Sequence, residues 1–419
     1  MSPTVSLKPL LSPAGRNNPA PWYAELHRLG AAAALEPGDR HAAVVFGHEA
    51  VGRVLRDPVF QVLDAHYLDN TGMNWRDHPV LRVLQNSVFN SPAGEHARMR
   101  RPFSQALTAR RVAEIEPMIE RLTAERLDRL ARLGAAGGPL DFMAEFAVPL
   151  PADVIGEILG VPVADRPRFP DLVRAFDAVL ELGQRPYREV LAADRAALEL
   201  SAYFAKLLDE REAAPRDDLV SALARARSED PAPAEHAERT DQAERTDELL
   251  ANLIVFFNAG FRTTANLFGN GLALLLAHPE AADALRADPS RAPQYVEEIL
   301  RLEPPVHFAI RYAAGDTEVA GVPVPEGRSV LILTAAANRD PRRFPDPDRF
   351  DPTRTDIQHY AFSAGPHYCL GQVLGRTEGR IVFPRVLARF PALAPAAAPE
   401  PLRNLMLRGP VRLPVLLGR

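Results

Sequence analysis

Cysteine is nearly absent. Cys369 is the only one in 419 residues, so no internal disulfide can form, and the chain suits a reducing compartment better than a disulfide-stapled secreted fold. Lysine is almost as scarce, with Lys8 and Lys206 the only two, so arginine supplies nearly all the positive charge. Acidic residues outnumber basic ones, and the net charge of -5 excludes the basic footprint of a nucleic-acid-binding domain. No stretch offers the ~18 uninterrupted apolar residues of a membrane-crossing helix. The opening segment MSPTVSLKPLLSPAGRNNPAPWYAEL lacks a basic start followed by an apolar run of signal length. No G-x-G-x-x-G follows a strand-like run, so no flavin- or nucleotide-binding segment is evident. These absences predict a cytoplasmic protein with no membrane anchor and no nucleic-acid partner.

What is present reads as an ordinary globular chain, 47% apolar and 25% charged. HAAVVFGHEAVGRVL alternates like a strand and then becomes helical. From Ala109 to Leu133, apolar Val112, Ile115, Met118, Ile119 and Leu122 recur at spacings of one helical turn. Further helices follow in LPADVIGEILG, FPDLVRAFDAVLEL and REVLAADRAALELSAYFAKLLDE, divided by Pro and Gly. Residues 228–247, with a tandem AERTDQ/AERTDE repeat and almost no large apolar side chain, are expected to be an exposed connector. A long helix, apolar nearly all round in its first half, is expected from Asp247 and should cross the interior. Strands reappear in DTEVAGVPVPEGRSVLILTAA, where VPVPEG is expected to turn between two β-rich runs. The prediction is one domain over 1–419, mainly α with a minor β region.

The lone thiol sits in FSAGPHYCLGQVLGR, with glycines on both sides and a helical run after it. Unpaired N–H groups and the positive end of that helix favour a thiolate. A single thiolate cannot build a zinc or iron–sulfur site, which needs several protein ligands, whereas haem iron needs only one. The bland alternative is a small buried hydrophobe. The loop resembles the haem-binding loop of the cytochrome P450 family, usually FGxGxHxCxGxxLAR. Phe362, Gly365, His367, Cys369, Gly371, Leu374 and Arg376 match, and Ser363 and Gly375 depart from the usual glycine and alanine.

Other segments follow in family order. Glu298 and Arg301 in VEEILRLEPPV resemble the ExxR motif, and Arg349 in FPDPDRFDP resembles the arginine that completes its structural triad. SPAGEHARMRR and IRYAAGD resemble the propionate-binding stretches, which makes His96, Arg100 and Arg311 haem-binding candidates beside His367. The resemblance spans essentially the whole chain. It implies a P450 fold with haem b (iron protoporphyrin IX) between the long central helix and the cysteine-side helix, and Cys369 as the iron ligand.

NAGFRTTANL matches the oxygen-activation stretch AGx(D/E)T. Ala259 and Gly260 are expected to leave room for dioxygen, and Thr263 to present a hydroxyl. Arg262 stands where the acid should be. An arginine cannot shuttle protons, and three readings of it stay open: waters or a substrate group supply protons instead, Arg262 anchors a substrate carboxylate as in peroxide-using relatives, or it forms a salt bridge on the helix's far side. The resemblance implies a haem-thiolate monooxygenase that inserts one atom of O2 into a mostly hydrophobic small molecule in natural-product tailoring. Electrons would come from a separate ferredoxin and ferredoxin reductase. The alternatives are a peroxide-driven P450 and a catalytically silent haem or ligand-binding protein. Substrate contacts are expected from the loop HYLDNTGMNWRDHPVLRVLQN and from Phe176, Phe256, Phe257, Val306, Ile310, Leu405 and Met406.

Overall fold

The apolar run around residues 251–258 is buried at every position, and the helix that carries it is the spine of the molecule. In this computed structural model, which describes residues 3–183, 186–229, 239–402 and 404–418, that central helix spans Arg239–Ala277. It starts eight residues before Asp247, so residues 239–247 of the expected connector are helical. Ala, Glu, Arg and Gln are all good helix formers, and Arg98 holds Glu248 by two hydrogen bonds of 2.8 and 2.7 Å. A separate helix ends at Glu229, and residues 230–238 lie outside the described ones. The central helix stops before His278-Pro279, where the proline bars its predecessor from helical geometry.

Among the described residues, the helices packed against this spine include Pro79–Gln85, Pro149–Leu159, Tyr187–Ala213, Ala292–Leu302 and Gln372–Arg389, the last being the cysteine-side helix. Phe257 sits between Phe169 and Phe204, with ring centroids 4.7 and 5.8 Å away. The predicted helix near 109–133 spans Ala109–Gly134, capped by Thr108 and burying Val112, Ile119 and Leu122.

The minor β region is led by a six-stranded sheet ordered Thr4–Val5, Ala32–Leu35, His41–Val45, Ser329–Ile332, Ala309–Ala313, Phe60–Gln61. Ala309–Ala313 runs antiparallel to Ser329–Ile332, with Ile310 opposite Leu331 and Arg311 opposite Val330. Successive side chains alternate faces, so Ile310 and Arg311 point to opposite sides. The late hairpin joins Thr317–Val319 to Val322–Val324. Its turn is Ala320-Gly321, both at positive φ (49° and 79°), as a two-residue hairpin requires. The turn expected at VPVPEG therefore leads out of the hairpin into the main sheet. No helix among the described residues is long and apolar enough to cross a membrane.

Candidate active site

The cysteine loop is held by its backbone. Cys369 N–H donates to Phe362 O at 2.9 Å and Tyr368 N–H to Gly365 O at 3.0 Å, and a short turn covers Gly365–His367 before the helix begins at Gln372. Ser363 takes a left-handed φ of 62°, so the turn usually formed by glycine is kept with a strained serine. Gly365 is required: φ is +70° and a Cβ would lie 2.3 Å from Leu55 O. Gly375 is not, because its Cβ would meet the Phe362 ring at an ordinary 4.0 Å. Arg376 covers that ring, 4.5 Å from its centroid. The Gly371 N–H bonds the Cys369 thiol, and Arg100 and Arg376 add positive charge, but burial outweighs them and pushes the thiol up. The thiolate expected from the helix terminus alone is thus not favoured; a cation bound to sulfur would enforce it.

Beside this loop four basic side chains converge from three elements. His96 and Arg100 come from the helix Ala93–Ala106, Arg311 from the sheet, and His367 from the loop itself. The imidazoles of His96 and His367 lie 4.1 Å apart, and Arg100 donates to Tyr368 O. His96 is 4% exposed, and its Nε2 has no hydrogen-bond partner. Burial pushes Arg311 down to about 10. Burial, with Arg311, His96 and Arg100 adding to it, pushes His367 down to about 3. Among the described residues no carboxylate pairs with any of the four. Such a cluster is costly unless anions meet it. No group of three His, Cys, Asp or Glu among the described residues could hold a metal ion. Cys369 can therefore serve only a metal whose remaining ligands come with it. The donor set, one thiol beside an unmet anion site, fits a dianionic porphyrin.

A family model described as Cytochrome P450 matches residues 12–415. The chain belongs to the cytochrome P450 family. Among curated relatives of this P450, 6-deoxyerythronolide B hydroxylase of Saccharopolyspora erythraea is 38% identical over 81% of the chain and 80% of the relative. The P450 monooxygenase PikC of Streptomyces venezuelae is 34% identical over 95% and 91%. Among solved structures, CxnD, a P450 for C–S bond formation in chuangxinmycin biosynthesis, superposes with a TM-score of 0.83 at 33% identity, over 96% of this chain and 95% of that one. The chain is a cytochrome P450 monooxygenase, and its family implies a haem-iron cofactor.

In this P450 the ExxR pair is wholly buried. Arg301 donates to both Glu298 oxygens at 2.7 Å and to the carbonyls of Asn338, Pro347 and Arg349 at 2.9, 2.7 and 3.1 Å. The expected third member is corrected: Arg349 is exposed and contributes only its carbonyl. The guanidinium that reaches Glu298 is that of Arg354, at 3.4 Å, five residues further along the same loop.

On the central helix, Ala259 is exposed directly after the buried run 251–258. Thr263 Oγ1 donates to Ala259 O at 2.6 Å; its proton is committed there, and the oxygen can only accept elsewhere. Gly260 is corrected. A Cβ there would lie 2.9 Å from Ile155, so its bareness admits the helix Pro149–Leu159 rather than a diatomic ligand. The charges of Asp177 and Arg174 act on Arg262, which burial pushes down and whose Nε has no hydrogen-bond partner. The adjacent Thr264 bonds Glu378, a carboxyl that burial raises to about 8.

The seven apolar pocket candidates do not form one surface. Phe257 and Phe176 are 0% and 1% exposed and sit inside the main core, and Phe256 packs on Phe103 at 5.3 Å. Leu405 is buried with Leu7, Leu10 and Trp22, and Ile310 and Met406 border the same cluster. Val306 is half-buried and bridges to Leu407. Within the expected specificity loop, Trp75 is buried and gives its indole N–H to Asp69 at 2.9 Å. Sequence reasoning missed Asp177 and Arg354. For Asp177 a signal existed, a carboxylate one helical turn beyond Val173 on an apolar stripe; for Arg354 only the fold supplies one.

Proposed function

We propose that this P450 holds haem b through Cys369 and oxidises a mostly hydrophobic small molecule in natural-product tailoring, in the cytoplasm, with electrons from a separate ferredoxin and its reductase. The observation that carries the reading is the pair of guanidinium cations Arg100 and Arg311, unmet by any carboxylate among the described residues, gathered with the neutral imidazoles of His96 and His367 against the Cys369 loop. When bound, thiolate-ligated haem iron supplies the activation of O2 and the insertion of one oxygen atom. The chain's own work is positional. The loop presents the sulfur, and Arg100 and Arg311 offer charge-assisted hydrogen bonds to carboxylates. The small side chain of Ala259 keeps the helix from filling the space beside Thr263, whose hydroxyl oxygen is left as an acceptor. The relatives support the tailoring assignment: one is a 6-deoxyerythronolide B hydroxylase and one structure belongs to an enzyme of chuangxinmycin biosynthesis.

The peroxide-driven reading needs Arg262 free to bind a substrate carboxylate. The charge of Asp177 already acts on it, and a second carboxylate there would meet like charge. Reduced protein under carbon monoxide is expected to give the strongly red-shifted Soret band of thiolate ligation, and Cys369→Ala to lose it. Electron transfer from a ferredoxin system is expected to drive oxygen consumption that hydrogen peroxide alone cannot replace. A wild-type protein that refuses hemin, or gives no shifted band, would overturn the proposal and favour a silent ligand-binding protein.

A further inference from the structure

The helix Ala292–Leu302 presents two adjacent acids, and each meets a different arginine. Glu298 turns inward to Arg301. Glu297, one position earlier and so about 100° round the helix, meets the cysteine-side helix instead. Arg376 donates to its two oxygens, from Nε at 2.6 Å and from Nη2 at 3.0 Å. His359, on the loop that leads into the cysteine turn, is buried and places Nε2 3.3 Å from Glu297 Oε2. Its Nδ1 accepts the Ala361 N–H at 3.2 Å, which leaves the proton of the neutral ring on Nε2, toward the carboxylate. Burial would raise the Glu297 carboxyl, but hydrogen bonds from His359 and Arg376 hold it down at about 2. Both partners of Glu297 adjoin the Phe362 ring, whose centroid is 5.8 Å from that of the imidazole and 4.5 Å from the guanidinium carbon. Phe362 in turn accepts the Cys369 N–H at 2.9 Å. Arg376 also reaches Tyr368 Oη, on the residue before the cysteine, at 3.4 Å.

Resting on the monooxygenase reading above, we propose that Glu297 is a positioning residue for the Cys369 loop: it fixes Arg376 over Phe362, and the charge balance of that ion pair sets how readily the thiolate-bound iron accepts an electron. Two cations act on the Cys369 thiol, Arg100 and Arg376. Arg100 belongs to the cluster offered to the haem carboxylates, whereas Arg376 is matched by Glu297 alone. An added electron makes the iron–thiolate unit more negative, so a nearby positive charge favours the reduced state and a nearby negative charge opposes it. Glu297 therefore tempers the cation that it holds in place. The two side chains are 26% and 31% exposed, where an ion pair contributes little to stability. The fold does not need this pair to anchor the helix, because Arg301 already ties it to the carbonyls of Asn338, Pro347 and Arg349. Its larger consequence is the charge that it leaves beside the sulfur.

The test is potentiometry of the haem-loaded protein without substrate, at low ionic strength where screening is least, with the carbon monoxide band recorded alongside. Glu297→Gln is expected to move the ferric–ferrous midpoint upward and Arg376→Met downward. Each shift should be roughly two- to fivefold in the reduction equilibrium, or about 20–40 mV for a one-electron couple. The double variant is expected to fall between the two, and Glu297→Asp, which keeps the charge, to return most of the way to wild type. Loss of structure alone does not give shifts of opposite sign. The carbon monoxide band separates the two levels of inference, because its absence in wild type condemns the haem-thiolate reading itself. With that band intact, midpoints that move in the same direction, or do not move, overturn the proposal. Should Arg376→Met fail to hold haem, Glu297→Gln decides, since an unshifted or lowered midpoint in it overturns the proposal equally.

Discussion

Replacing Arg311 by methionine should move stability and cofactor affinity in opposite directions. Burial depresses its guanidinium from 12.5 to about 10. At about 1.4 kcal/mol for each tenfold change in proton affinity, the folded protein without a bound anion bears a cost of about 3 kcal/mol. The sign follows from linkage: a cation whose folded value lies below its unfolded value is penalised wherever it stays protonated. The cost is therefore fully present at neutral pH and fades only as pH rises from about 10 toward 12.5. Methionine keeps the stem and removes the charge, so haem-free Arg311→Met should gain up to about 3 kcal/mol, and less if water reaches the native guanidinium. Hemin binding should weaken, because a charge-assisted hydrogen bond contributes about 1.5–3 kcal/mol, or roughly 10- to 150-fold in affinity. The assays are the urea midpoint of haem-free protein at constant m and a hemin titration followed by quenching of Trp22 and Trp75. A variant that is less stable without haem and binds hemin as well as wild type would refute the reasoning.

Three further outcomes are expected. Arg301→Met leaves buried Glu298 with only the longer Arg354 contact as counter-charge and strips three carbonyls of their donor, so it should cost about 3–5 kcal/mol; a midpoint shift worth under 1 kcal/mol would contradict the buried network. Ser363→Gly relieves a left-handed serine, and thermal unfolding should report a gain of about 0.5–1 kcal/mol after the added unfolded-state entropy, with the carbon monoxide band unchanged. Gly365→Ala drives a Cβ into Leu55 O, a backbone atom that cannot rotate away, so soluble yield and hemin uptake should both fall; normal uptake would mean the loop is not held as described.

Much of this architecture was legible from local pattern. The stripe of Val112, Ile119 and Leu122 announced its helix because burial on one side imposes a helical period, and the cysteine loop announced its chemistry because glycine spacing and a lone thiol are chain-local features. The start of the central helix was misplaced because residues 239–247 lack large apolar side chains and show no period, while their helix rests on propensity and the long-range pair of Arg98 with Glu248.

The sequence by itself determined the helical class, the cysteine loop and the ExxR pair, since each is written in residues close along the chain. Tertiary structure alone decided that Arg354 and not Arg349 reaches Glu298, that Gly260 yields to Ile155, and that the charge of Arg262 acts on Asp177. Those are encounters between residues from 56 to 105 positions apart or between side chains equally plausible on paper. Which of them meet is set by how helices pack, and a charge's partner is chosen by that packing and not by its neighbours in the chain.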